Sequence, residues 1–152
     1  MHLPRHQGCI DEWCNIAYID HMNAEKQLVT KLTSEKQALA LQGFFKIMDL
    51  WKADNSVAQI ILGSPPARTF YAWKKAPPTK LPEDTLRRIG YVAGIWKALQ
   101  IVYSNPDVAD GWVSRANDFF GGQTPLQRMA AGDVTDLAAV RAYVDAARAP
   151  WS

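Results

Sequence analysis

A chain of 152 residues that is 48% apolar and 21% charged is long enough for one ordinary domain or two very small ones, and apolar enough to fold. Its uninterrupted apolar runs fall far short of the roughly 18 residues that cross a bilayer, and no apolar core follows a basic amino terminus, so the expected location is the cytoplasm, with no membrane partner. The net charge of +2 is unevenly placed: residues 1–40 carry 4 basic and 5 acidic side chains, 41–80 carry 6 and 2, and 81–152 carry 7 and 8, so the positive excess sits in the middle.

The first segment holds His2, His6, Cys9, Cys14 and His21, all side chains that can ligate zinc. Their spacing fits no familiar closed site, so no metal is assigned and the segment reads as a leader. Cys9 and Cys14 are close enough that a bridge between them would close only a tiny loop. Residues 23–39 are polar and charged with apolar positions at Leu28, Leu32 and Leu39, the pattern of a helix that packs on the body or on a second subunit. From Phe44 the apolar spacing tightens: Phe44, Ile47, Met48 and Trp51 fall at i, i+3, i+4 and i+7, on one helical face.

Asn55 is placed to cap a second, shorter helix carrying Val57, Ile60 and Ile61, and Gly63 ends it. The stretch GSPPA makes a turn into a third helix, which faces Phe70 and Trp73 inward and leaves Arg68, Thr69, Tyr71, Lys74 and Lys75 on other faces. Two short helices joined by a turn containing Gly, the second one basic, are what a helix-turn-helix requires. An α-helix fits the major groove, lysines neutralise phosphates, and Arg or Thr reaches base edges, so these five residues are the candidate DNA contacts. The same pattern would also suit a plain three-helix core with its basic helix in water.

APPTKLP, residues 76–82, cannot be helical and reads as a linker. Beyond it Pro82, Glu83 and Asp84 begin a long helix whose Leu86, Ile89, Ala93, Trp96, Leu99 and Tyr103 form one apolar stripe, stopped by Asn105 and Pro106. A following helix carries Trp112, Ala116 and Phe119 and ends at Gly121 and Gly122. Thr124, Pro125 and Gln127 have the spacing of a capping box with Pro at the first helical position, and Gly132 closes that helix. The last helix starts near Thr135 and puts Leu137, Val140, Val144 and Ala147 on one side.

Little here points to catalysis. No histidine follows His21 and no cysteine follows Cys14, which removes the commonest general base and the best nucleophile from the helical body. No glycine-rich phosphate loop occurs, so no cofactor is expected. Most acids, such as Asp107, Asp133 and Asp136, stand where helices begin and read as capping groups. The fold class is all-α and the chain is not expected to be an enzyme.

The stretch WVSRANDFFGGQTPLQRMAAGDVTDLAAVRAYVDAA resembles the toxin-binding domain of the Xre/MbcA/ParS antitoxin family. The resemblance is carried by the order of Asn117, Phe120, Gly122, Thr124, Pro125, Leu126, Arg128, Met129, Gly132 and Asp133, followed by a terminal helix with Val140 and Tyr143. Ahead of it, GFFKIMDLWKADNSVAQIILGSPPARTFYAWKK looks like a diverged copy of the family's Xre-like helix-turn-helix. The resemblance implies an extension over 1–40, a helix-turn-helix region over 41–78 and a small helical toxin-binding domain with its tail over 79–152. It implies an antitoxin that binds a cognate RES-type toxin, an enzyme that consumes NAD or transfers ADP-ribose, and that also represses its operon at operator DNA and forms a homodimer. Toxin contact is then expected at Arg128, at Arg141, Tyr143 and Arg148 of the last helix, and at Trp151 and Ser152 of the tail, which would reach the mouth of the NAD pocket. The chain departs from the family at Gln127, where an acid is common, in the tail ARAPWS, where many relatives are glycine-rich, and in the entry SPPAR to the third helix.

Trp151, behind Pro150, has two readings. Trp and Arg are the residues most enriched among binding hot spots, so Trp151 with Arg148 would suit a cleft built for nicotinamide and pyrophosphate. Alternatively Trp151 folds back on Trp96 or Trp112 of its own domain. A stand-alone helix-turn-helix regulator that uses its carboxyl-terminal domain to dimerise is the other function compatible with the residues.

Overall fold

The computed structural model describes residues 33–148, and every regular element among them is helical. The chain divides into two units, 1–36 and 37–152, and apart from residues 33–36 the elements described below belong to the second. His2, His6, Cys9, Cys14, His21, Leu28, Leu32, Trp151 and Ser152 lie outside the described residues. Among the described residues no helix is long and apolar enough to cross a membrane, and no three metal-ligating side chains cluster.

Helix α1 covers residues 33–50. Leu41, Phe44, Ile47, Met48 and Trp51 are buried, as the tightened spacing predicts. Leu39 is 67% exposed. The helix ends with Lys52 in the left-handed region at φ 55. There the Lys52 N–H donates to the Asp49 carbonyl and the Ala53 N–H to the Met48 carbonyl, both at 3.0 Å, the paired bonds that satisfy a helix's last acceptors.

Helix α2, Asn55–Ile61, begins after Asp54, which makes no side-chain cap bond. Asn55 is therefore inside the helix, and its side chain is engaged elsewhere: Oδ1 accepts from Lys74 Nζ at 2.7 Å. At the other end Gly63 adopts φ 109, a conformation that costs a residue without Cβ little, and the chain leaves through bonds from Gly63 N–H to Ile60 O and from Ser64 N–H to Gln59 O. Gln59 Nε2 donates to Pro65 O at 2.7 Å and ties the turn down. Helix α3, Ala67–Lys75, then buries Phe70, whose ring meets Phe45 edge-to-face at 5.6 Å.

The proline-bearing stretch 76–82 is non-helical, as proline chemistry predicts. It is nonetheless packed, because Leu81 is buried and its backbone N–H donates to Gln37 Oε1 of α1 at 2.8 Å. The second unit accordingly runs through it.

Helix α4, Glu83–Val102, is the backbone of the unit. Its buried face runs through Thr85, Arg88, Ile89, Val92, Ile95, Ala98 and Leu99. The stripe read from the sequence shares Ile89 and Leu99 with it, but Ala93 is exposed and Leu86 and Trp96 are half-buried. The buried face lies to one side of that stripe and includes polar groups. Arg88 shows this best: Nε pairs with Asp84 at 2.8 Å, Nη1 donates to the Gly132 carbonyl at 3.1 Å, and its stem lies against Gly63. One buried guanidinium thus joins the end of α2, the start of α4 and the turn before the last helix.

The region 106–122 is not one helix. Helix α5, Pro106–Gly111, is capped by Asn105, whose side chain accepts the Asp107 N–H at 3.0 Å. Two single 3-10 turns follow, Trp112–Ser114 and Asp118–Phe120. Asn117 separates them: its side chain accepts the Phe119 N–H at 2.9 Å, starting a new turn. Helix α6, Pro125–Met129, carries the capping box its sequence predicts, with Gln127 N–H donating to Thr124 Oγ1 at 3.0 Å and Thr124 N–H to Gln127 Oε1 at 2.9 Å. Helix α7, Val134–Arg148, lies along α4 and buries Leu137, Val140 and Val144, whereas Ala147 is exposed.

Candidate functional site

Two surfaces of the second unit carry the residues singled out by sequence. The first is the outward side of α7 with the loop before α6. Asp136 organises its base: Oδ1 accepts from Arg128 Nε at 2.9 Å, while Oδ2 accepts the Asp133 N–H at 3.1 Å, so one carboxylate caps α7 and holds Arg128. Arg141 Nε pairs with Asp145 at 2.9 Å one turn along, and its guanidinium occupies the space beside Gly94 of α4, where any Cβ would overlap it. Both arginines are therefore half-exposed and engaged within the chain, with surface-type pairs worth about 0.2–1 kcal/mol. Arg148, the last residue of α7, is exposed.

Tyr143 sits at the centre of an aromatic group. Its ring stacks on Trp112 with centroids 5.9 Å apart and an interplanar angle of 19°, and it lies 4.7 Å from Phe119 and 5.4 Å from Phe120. Trp112 and Phe120 are buried, but Phe119 is 66% exposed. The sequence reading puts Trp112, Ala116 and Phe119 on one helix ending at Gly121 and Gly122. That helix is broken at Asn117, so the 3.6-residue period does not apply, and the Asn before and Gly-Gly after Phe119 were the available signal.

Phe119, Ala139, Ala142, Tyr143, Ala146 and Ala147 line an open apolar hollow along α7. Tyr143 and Ala147 also border a small, partly open hollow of about 70 Å³ lined by Leu99, Val102, Tyr103, Trp112 and Val144. The two share Tyr143 and Ala147, and among the described residues no charged side chain lines either.

The second surface is α3. Arg68, Tyr71 and Lys75 are exposed and stand at i, i+3 and i+7 with Ala72 between them, so three of the five candidate DNA contacts share one outward face. Thr69 is half-buried at the edge of that face. Lys74 turns toward α2, bonded to Asn55 and 5.9 Å above the Phe45 ring, where it cross-links the two short helices.

Residues 98–149 match the family model of the antitoxin Xre/MbcA/ParS C-terminal toxin-binding domain. The chain is also similar to the uncharacterized protein y4oB of Sinorhizobium fredii (strain NBRC 101917 / NGR234), at 46% identity over 110 residues, which is 71% of this chain and 83% of that protein. No solved structure matches the chain.

Proposed function

Since the chain belongs to the Xre/MbcA/ParS antitoxin family, we propose that it neutralises a RES-type toxin by direct binding and steric occlusion of the toxin's NAD site, with no chemistry of its own. The observation that carries this reading is the exposed apolar hollow on α7, which lies wholly inside the segment matched to a toxin-binding domain. Aromatic side chains such as the exposed Phe119 are enriched at the cores of protein–protein interfaces. Residues 79–152 are the toxin-binding region in this reading, and Arg148, Trp151 and Ser152 enter the pocket of the toxin. Arg148 at the exposed end of α7 supports that direction of approach.

Residues 41–78 are the operator-binding region, used as a homodimer to repress the operon. Two features support it: α3 follows α2 through a short turn, and its outward face presents Arg68, Tyr71 and Lys75 with no acid in its first turn. Lys74 also braces α2 against α3 through its bond to Asn55.

The test is growth and cellular NAD in bacteria expressing a RES-type toxin, with and without this chain. NAD that falls with the toxin alone and recovers on co-expression is the expected result. Growth arrest that co-expression does not relieve removes the antitoxin reading and leaves a DNA-binding regulator.

A further inference from the structure

We infer that the toxin is anchored by Phe119, on a rigid apolar shelf formed with Tyr143 and the alanines of α7, and that anchoring and inhibition are carried by different residues. This rests on the toxin-binding reading above and adds the residue that holds the partner.

Phe119 is exposed although it belongs to an aromatic group, and its position is locked. Its N–H donates to Asn117 Oδ1, and the Asn117 carbonyl accepts both the Phe120 N–H at 3.0 Å and the Gly122 N–H at 3.1 Å. Gly121, at φ 68, takes the left-handed turn that closes this loop. The ring then meets Phe120 edge-to-face at 5.2 Å and leans on Tyr143. An exposed aromatic fixed in this way loses little conformational entropy when a partner covers it, which is the property of interface anchors.

Beside Phe119 the small side chains Ala139, Ala142 and Ala146 leave a hollow along the helix. Alanines let a second helix approach at the short end of the 8–10 Å interaxial range typical of packed helices. The occupant that fits is an amphipathic helix of the toxin whose apolar side chains enter the hollow and pack on the Phe119 ring. The toxin is chosen over a second copy of this chain because every residue of the shelf falls within 98–149, the segment matched to a toxin-binding domain. The arginines expected to do this work are less suited to it. Arg128 and Arg141 already hold Asp136 and Asp145, and releasing them would undo those pairs.

The experiment titrates purified RES-type toxin with the full chain, with Phe119→Ala, with Phe119→Leu and with a chain ending at Arg148. Affinity is measured at low and high salt, and NAD consumption and the melting of each variant alone are read in parallel. Phe119→Ala should weaken binding by about 30-fold or more, the loss typical of an anchor residue, while melting falls by no more than about 5 °C from the lost aromatic contacts. Phe119→Leu should recover part of it, and the wild-type affinity should change little with salt. The chain ending at Arg148 should lose inhibition out of proportion to affinity. Phe119→Ala binding within about twofold of wild type overturns the inference. So does a Phe119→Ala variant that changes the oligomeric state of the antitoxin alone while binding toxin normally, since the shelf would then face a second copy. A wild-type chain that binds no toxin overturns the antitoxin reading itself, which is a different result from a wild-type complex insensitive to Phe119.

Discussion

Gly90 and Gly94 stand one turn apart inside α4, and replacing each by Ala should have different consequences. A Cβ at Gly90 meets nothing within 4 Å, so Gly90→Ala gains the helix-propensity difference of about 0.8–1.0 kcal/mol with no steric cost. A Cβ at Gly94 overlaps the Arg141 guanidinium, which is the far end of a flexible side chain and can swing away. That movement breaks the Arg141–Asp145 pair, whose side chains are 37% and 45% exposed and whose i, i+4 geometry is worth about 0.3–0.5 kcal/mol. Gly94→Ala should therefore gain only about half as much, roughly 0.5 kcal/mol. In thermal unfolding followed by circular dichroism, a chain of this size shifts by roughly 2–4 °C per kcal/mol, so the order of melting is Gly90→Ala, then Gly94→Ala, then wild type. Gly94→Ala melting below wild type would refute the reasoning. It would mean that Arg141 cannot leave cheaply, or that α7 needs the missing side chain to lie against α4. Raised salt should narrow the gap between the two variants, because it screens the pair that only one of them breaks.

Two further perturbations test the caps and the buried cation. Thr124→Ala removes the hydroxyl that accepts the Gln127 N–H and should destabilise by about 1 kcal/mol, measured by urea unfolding with the slope unchanged. Arg88→Met keeps the buried stem but leaves the Gly132 carbonyl without its charged donor, while Asp84, 57% exposed, stays hydrated. A loss of about 1.5–3 kcal/mol is expected, and a loss below about 0.5 kcal/mol would show that Arg88 does not hold the turn to α4.

Much of this protein is settled by local chemistry. The all-α class, the buried face Phe44, Ile47, Met48 and Trp51, the Thr124–Gln127 capping box and the non-helical prolines at 76–82 each depend on neighbours within a few residues, and each is readable in the sequence. The order of residues from Asn117 to Tyr143 likewise sufficed to place the chain in its family. What the tertiary structure decided are the cases where two local rules compete or a distant group intervenes. Asn55 had the chemistry of a cap, but Lys74, nineteen residues away, takes its side chain. Arg88 lies outside the apolar stripe read from the sequence, yet it is buried, bonded to the Gly132 carbonyl and set against Gly63. The buried face of α4 lies to one side of the stripe read from the sequence, toward α5 and α7, so Ala93 fell outside and Arg88 inside. Phe119 continues the helix of Trp112 only if Asn117 does not start a new turn, and the side-chain bond from Asn117 settled that competition and left the ring exposed. Periodicity reports which residues share a face while the helix continues; which partners come to that face depends on contacts between segments far apart in the chain, and no window of sequence contains them.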